Sequence, residues 1–117
     1  MKQYFKRSEF ACKCGCGLNN IDAQFAENLN TARHLANTPF VITSGTRCPA
    51  HNKASGGMPS SSHVKGLAVD IRTKDSQERF RVMQGLIQLG FNRIGVSKHF
   101  IHVDDDTQKP ADVMWMY

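Results

Sequence analysis

Apolar positions along the chain fall into two helical stripes and several short alternating runs. Phe25, Leu29, Ala32 and Ala36 recur at helical spacing behind Asp22, whose carboxylate suits an N-cap. They predict a helix from Asp22 to about Asn37, with Ile21 stapled against Ala26 and Pro39 ending it. A second helix is predicted from Asp75 or Ser76 to about Leu89, with Phe80, Met83 and Ile87 inward and Gly90 as its stop. Phe40–Thr43 reads as a short buried strand. Leu67–Arg72 alternates, with Leu67, Val69 and Ile71 on the core face and Ala68, Asp70 and Arg72 on the other. Arg93–Val96 and Phe100–Asp104 also read as strands. The tail, Val113–Tyr117, is too apolar to be free, so it reads as a last strand packed on the core. Gly45–Ser62 holds Pro49, Pro59 and two adjacent glycines and predicts a long loop with one helical turn near Pro49. Two main helices on a small antiparallel sheet of four to five strands make an α+β fold.

At 117 residues the chain has room for one domain over residues 1–117, the first 20 being an irregular, Cys-rich segment. No apolar run approaches the roughly 20 residues of a membrane span. Met1–Arg7 is basic without an apolar stretch behind it, which predicts cytoplasmic synthesis without a signal peptide. A net charge of +5 and a pI near 9.2 favour anionic partners without choosing among them. The basic residues are scattered, with no arginine-rich arm and no helix-turn-helix pattern, so nucleic acid is not the expected partner.

The chemistry concentrates on His63, Asp70 and His102. Two histidines and one carboxylate are ligands that zinc takes at catalytic sites, leaving a position for water. By spacing alone, a second reading is open: a loop histidine, a strand-end carboxylate and a packed histidine. The context is more specific. Ser61–Asp70 fits S-x-H-x-x-G-x-A-x-D; Ile42-Thr43-Ser44-Gly45-Thr46-Arg47-Cys48-Pro49 precedes it, and Phe100-Ile101-His102-Val103-Asp104 follows. Together these resemble the zinc D-alanyl-D-alanine carboxypeptidase family, which shares its fold with hedgehog domains. The resemblance is closest to the short phage and prophage peptidases that cut peptidoglycan, and runs from about Phe10 to Trp115.

That resemblance implies one catalytic zinc on His63, Asp70 and His102. It implies that Arg47 polarises the scissile carbonyl and that Ser61 binds the substrate, although a hydroxyl capping its own turn is an open alternative. Gly66 is expected to provide a positive φ or a close approach beside the metal. Family members carry an acidic general base three residues before the last histidine; here that position is His99. In an unbroken strand His99 points away from His102, so this role needs a loop or bulge there. Asp104, two residues beyond His102 on the same face, is the competing base, or else a carboxylate that orients a ligand histidine.

Cys12, Cys14 and Cys16 lie within five residues, and Cys48 begins a C-x-x-H with His51. Three arrangements fit: a second, structural zinc on Cys14, Cys16, Cys48 and His51; one disulfide from the cluster to Cys48; or reduced thiols. The functional expectation is a monomeric zinc peptidase acting on the peptidoglycan stem peptide, released through a phage-type membrane hole or carried in a virion. The runner-up is a catalytically weak, zinc-bearing wall-binding module.

Overall fold

The computed structural model describes residues 1–117. Helix α1 (Ala23–Ala36) starts where Asp22 accepts the Phe25 N–H at 2.9 Å, a cap worth about 1 kcal/mol. It ends on Asn37, in the left-handed region at φ 49°, two residues before Pro39. Its predicted stripe, Phe25, Leu29, Ala32 and Ala36, is buried. Asp75 caps α3 (Ser76–Leu89) by accepting the Glu78 N–H at 2.8 Å, and Gly90 closes it at φ 108°.

The inward face of α3 differs from expectation. Val82, Gly85 and Leu86 are buried, Met83 is half-buried, and Phe80 and Ile87 are 67% and 50% exposed. Gly85 is the cause: a Cβ there would stand 2.4 Å from the Ala32 carbonyl oxygen and 2.6 Å from Ala36 Cβ. The helices therefore meet at small residues, and the larger stripe turns to solvent.

Strands β1 (Ile42–Ser44), β2 (Ala68–Arg72), β3 (Arg93–Val96), β4 (Phe100–Asp104) and β5 (Val113–Met116) form one sheet in the order β1-β2-β4-β3-β5. All neighbours are antiparallel except β3 and β5, which run parallel. Val69, Ile71, Ile94, Ile101 and Val103 pack with α1 and α3 in a single core. Strand alternation then turns Asp70, His102 and Asp104 to the opposite face.

Register arranges that second face. Ser44 aligns with Asp70, Asp70 with His102, His102 with Gly95, and Gly95 with Trp115. One row thus crosses all five strands. A bulge in β1 makes it possible, because Ile42 pairs with Ile71 on the core side and Ser44 with Asp70. Gly95 leaves space in the row, since a Cβ there would stand 2.5 Å from Trp115 Nε1. The tail is a strand as expected, but it adds little to the core. Met114 and Met116 are exposed on the edge strand, and Trp115 is half-buried on the site face.

The long loop after β1 contains α2 (Pro49–Ala54). Its start is pinned to the N-terminal segment. Thr46 donates its N–H and its Oγ1 hydroxyl to the Phe10 carbonyl, each at 2.9 Å, and a Cβ on Gly45 would strike that same carbonyl.

Candidate metal centre

His63 leaves the Ser-rich loop just before β2, while Asp70 and His102 are cross-strand neighbours on β2 and β4. All three are buried, and one ligand atom from each lies within 4.8 Å of the others. Their hydrogen bonds decide which atoms are available. His63 Nδ1 is 2.8 Å from the Gly45 carbonyl oxygen, so this nitrogen donates and Nε2 carries the lone pair, 3.3 Å from Asp70 Oδ1. His102 Nε2 is 2.7 Å from Asp104 Oδ2, and its Nδ1 is 3.0 Å from the same Asp70 Oδ1. Each ring thus uses its outer nitrogen on an orienting acceptor and directs the inner one to a common point. That is how metal-bound histidines are held, and the donor set fits zinc.

Charge agrees with geometry. Burial opposes ionisation of Asp70, but the His102 and His63 rings that face its Oδ1 override burial and hold the carboxyl far below the usual range. Burial likewise opposes charge on Asp104, which hydrogen bonds from His102 and Arg93 keep ionised. The His102 imidazole is pushed up, burial notwithstanding, by the two carboxylates on either side of it. Two carboxylates thus concentrate negative charge around the His102 ring.

Arg47 enters from the loop after β1. Its Nε donates to Ser44 Oγ at 2.9 Å, Nη1 to Asn52 Oδ1 at 3.3 Å and Nη2 to Asp70 Oδ2 at 3.4 Å. Asn52 is itself buried and donates Nδ2 to the Met58 carbonyl, so the arginine's supports are fixed. Ser61 lines the cleft and its Oγ accepts the His63 N–H at 3.2 Å, which places it as a turn cap beside the site. Gly66 has φ +73° as expected. The backbone it approaches is that of Asn20, 2.0 Å from a notional Cβ, and not the metal position.

The two proposed bases are separated. His99 sits exposed in the turn between β3 and β4 and is not among the residues lining the cleft; its carbonyl accepts the Thr73 N–H at 2.8 Å. The loop that its role required is present, yet it presents the side chain to solvent. Asp104 is buried behind His102, with Oδ2 on the ring and Oδ1 accepting from Arg93 Nε at 2.6 Å. Both oxygens are thus engaged, which suits orientation of the imidazole.

The cleft above the row encloses about 440 Å³. Sequence reasoning missed Arg93, and it preferred core packing to a place at the site for Trp115 and Tyr117. Arg93 reaches Asp104 and lies 5.3 Å from the Trp115 ring, and Trp115 lies 5.4 Å from the His102 ring. Tyr117 stacks against Phe100 at 5.2 Å on the rim. The strand pattern was visible, but only the order β4-β3-β5 carries Arg93 and Trp115 to His102.

The cysteine group also differs from expectation. Cys12, Cys14, Cys16 and Cys48 converge, and His51 contributes only its backbone N–H, to Cys48 Sγ at 3.3 Å. The cause is local: Cys48 is the N-cap of α2, so His51 stands at the third helical position and its amide faces the cap. No disulfide links any of the four cysteines.

A family model described as Peptidase M15 matches residues 3–104, a span that contains His63, Asp70 and His102. The chain belongs to the peptidase M15 family. Comparison with curated proteins finds no match. M15 peptidases are zinc-dependent, which agrees with the donor set, and membership makes this chain a metallopeptidase. The matched span ends at Asp104, so Trp115 and Tyr117 lie beyond it. No helix is long and apolar enough to cross a membrane.

Proposed function

We propose that this M15 peptidase hydrolyses an amide bond of the peptidoglycan stem peptide. The observation that carries the reading is the paired orientation of His63 and His102 toward Asp70 Oδ1, beneath a cleft that contains a fixed arginine. Zinc held by His63, Asp70 and His102 would supply an acidified water and a Lewis acid for the carbonyl. Arg47 adds a guanidinium at the same edge of Asp70, where it stabilises negative charge developing on the carbonyl oxygen. Asp104, clamped by Arg93, keeps the His102 ring in one tautomer. Ser61, Lys109 and the Trp115 ring line the cleft and hold the peptide. The net charge of +5 favours an anionic wall polymer.

A second reading has its own support. His99 is exposed, and Asp104, the only cleft-lining carboxylate besides Asp70, is tied to Arg93 and His102. On this reading the chain binds the stem peptide with little turnover. Mass spectrometry of purified peptidoglycan, incubated with zinc-loaded protein beside His102→Ala, separates the two. New fragments absent from the variant establish hydrolysis, and their masses name the bond. Binding without fragments establishes the second reading.

A further inference from the structure

We propose that Cys12, Cys14, Cys16 and Cys48 bind a second zinc ion as a tetrathiolate, and that this ion ties the N-terminal segment to the loop bearing Arg47. The four sulfurs all lie within 4.8 Å of one another, with Cys12 and Cys14 at 3.4 Å and Cys14 and Cys48 at 3.7 Å. Four sulfurs around zinc, each at about 2.3 Å, are about 3.8 Å apart. A disulfide needs about 2.05 Å. Both spacings are thus close to the edge of such a tetrahedron and far from a disulfide bond.

The backbone is arranged for thiolates. Cys48 N–H points at Cys12 Sγ at 3.4 Å, and His51 N–H at Cys48 Sγ at 3.3 Å. Amide donors of this kind stabilise charge on a metal-bound sulfur. Gly15 and Gly17 each adopt φ +86° with nothing within 4 Å of a notional Cβ. Conformation, not space, requires glycine there, and it lets three cysteines turn toward one point within five residues. Cys14 and Cys16 are exposed, so packing does not account for them.

The position gives the ion a task. Cys48 follows Arg47 directly and opens α2, while Cys12 and Cys14 follow Phe10, whose carbonyl already accepts twice from Thr46. An ion joining both sides closes a clasp around the base of the arginine. Binding releases the thiol protons to solvent and leaves four thiolates on Zn²⁺, with no redox change.

Cobalt substitution of the full chain tests this, because only sulfur ligands give an intense thiolate-to-cobalt charge-transfer band. The expected result is two metal ions per chain, with one responsible for that band. His102→Ala should lower the count to one and leave the band intact. Cys16→Ser and Cys48→Ser should weaken or remove it; Cys16 is exposed, so its variant folds even if the Cys48 variant does not. Native thiols should resist a thiol reagent until chelator is added. The proposal is overturned by one metal per chain with no sulfur band, by four thiols that react equally fast with and without chelator, or by an intact-mass loss of two hydrogens that reveals a disulfide. None of these outcomes bears on peptidoglycan cleavage, so the peptidase reading stands or fails separately.

Discussion

The two clusters of ligand-type side chains in this molecule are built in opposite ways. Asp70 and His102 are held by a sheet whose register and core would persist without any ion, His63 is held by the buried turn that leads into it, and each imidazole has a protein partner on its outer nitrogen. The cysteines sit on turns and at a helix cap, and the hydrogen bonds that reach them come from two amides. A site on paired strands is prepared in advance of its metal. A site on glycine turns needs its metal to become rigid. The first arrangement suits chemistry, where geometry must survive exchange of ligands; the second suits a staple.

Several experiments can break this contrast. The largest effect is expected for His102→Ala, which should cost at least about 10³-fold in cleavage, the scale of several kcal/mol of Lewis-acid stabilisation, while its circular dichroism spectrum stays native. A collapsed spectrum would mean that the sheet does depend on the centre.

Asp104→Asn should cost about 10- to 100-fold in metal affinity or activity, because the amide reverses the hydrogen bond that sets the His102 tautomer. His99→Ala should stay within about twofold, since its side chain is exposed away from the cleft. Equal losses in the two variants would restore His99 as a participant.

Chelation should sharpen the comparison through thermal stability. In His102→Ala, which retains only the thiolate site, removing metal should lower Tm by about 10 °C, as expected when an ion at a hundred times its Kd is lost from a domain of this size. Amide exchange should then speed up in residues 12–17 of His102→Ala, and should change little around Asp70 and His102 when metal is removed from Cys16→Ser. Equal loosening at both sites would remove the distinction between prepared centre and staple.

The smallest effect concerns a neighbour of the sheet site. Asp106 is buried and accepts from Ser62 Oγ at 2.7 Å and from Lys65 Nζ at 2.9 Å. Burial raises its pKa, but these bonds prevail and bring it down to about 2. A depressed carboxylate contributes stability above its unfolded pKa of about 3.9 and loses it as pH falls through the folded value. Asp106→Asn should therefore be less stable than the parent by about 1–2 kcal/mol at pH 7 in urea denaturation. That gap should narrow below pH 4 and be nearly gone at pH 2. A gap that does not depend on pH would assign the loss to packing.

What the chain revealed on reading follows the same division. The caps at Asp22 and Asp75, the left-handed Gly66 and the His63–Asp70–His102 set were legible because each rests on local spacing or on a compact motif. The inward face of α3 was not, because the larger apolar stripe competes with one centred on Gly85, and only contact with Ala32 and Ala36 decides between them. Arg93 and Trp115 were hidden for a topological reason, the insertion of β3 between β4 and a parallel β5. Cys12 was passed over for His51 because a cysteine cap turns the amide, and not the imidazole, toward the sulfur.

The row from Ser44 to Trp115 also works as a ruler. It crosses four interstrand gaps, about 19 Å at the ordinary strand spacing, and runs perpendicular to the strands. Some six residues of extended chain have that length. On the proposed function, a peptide laid along it would meet Arg47 and Asp70 toward one end and His102 at the middle, where the Trp115 indole folds back over Gly95 to within 5.4 Å of the histidine ring, all without adding a strand to the sheet.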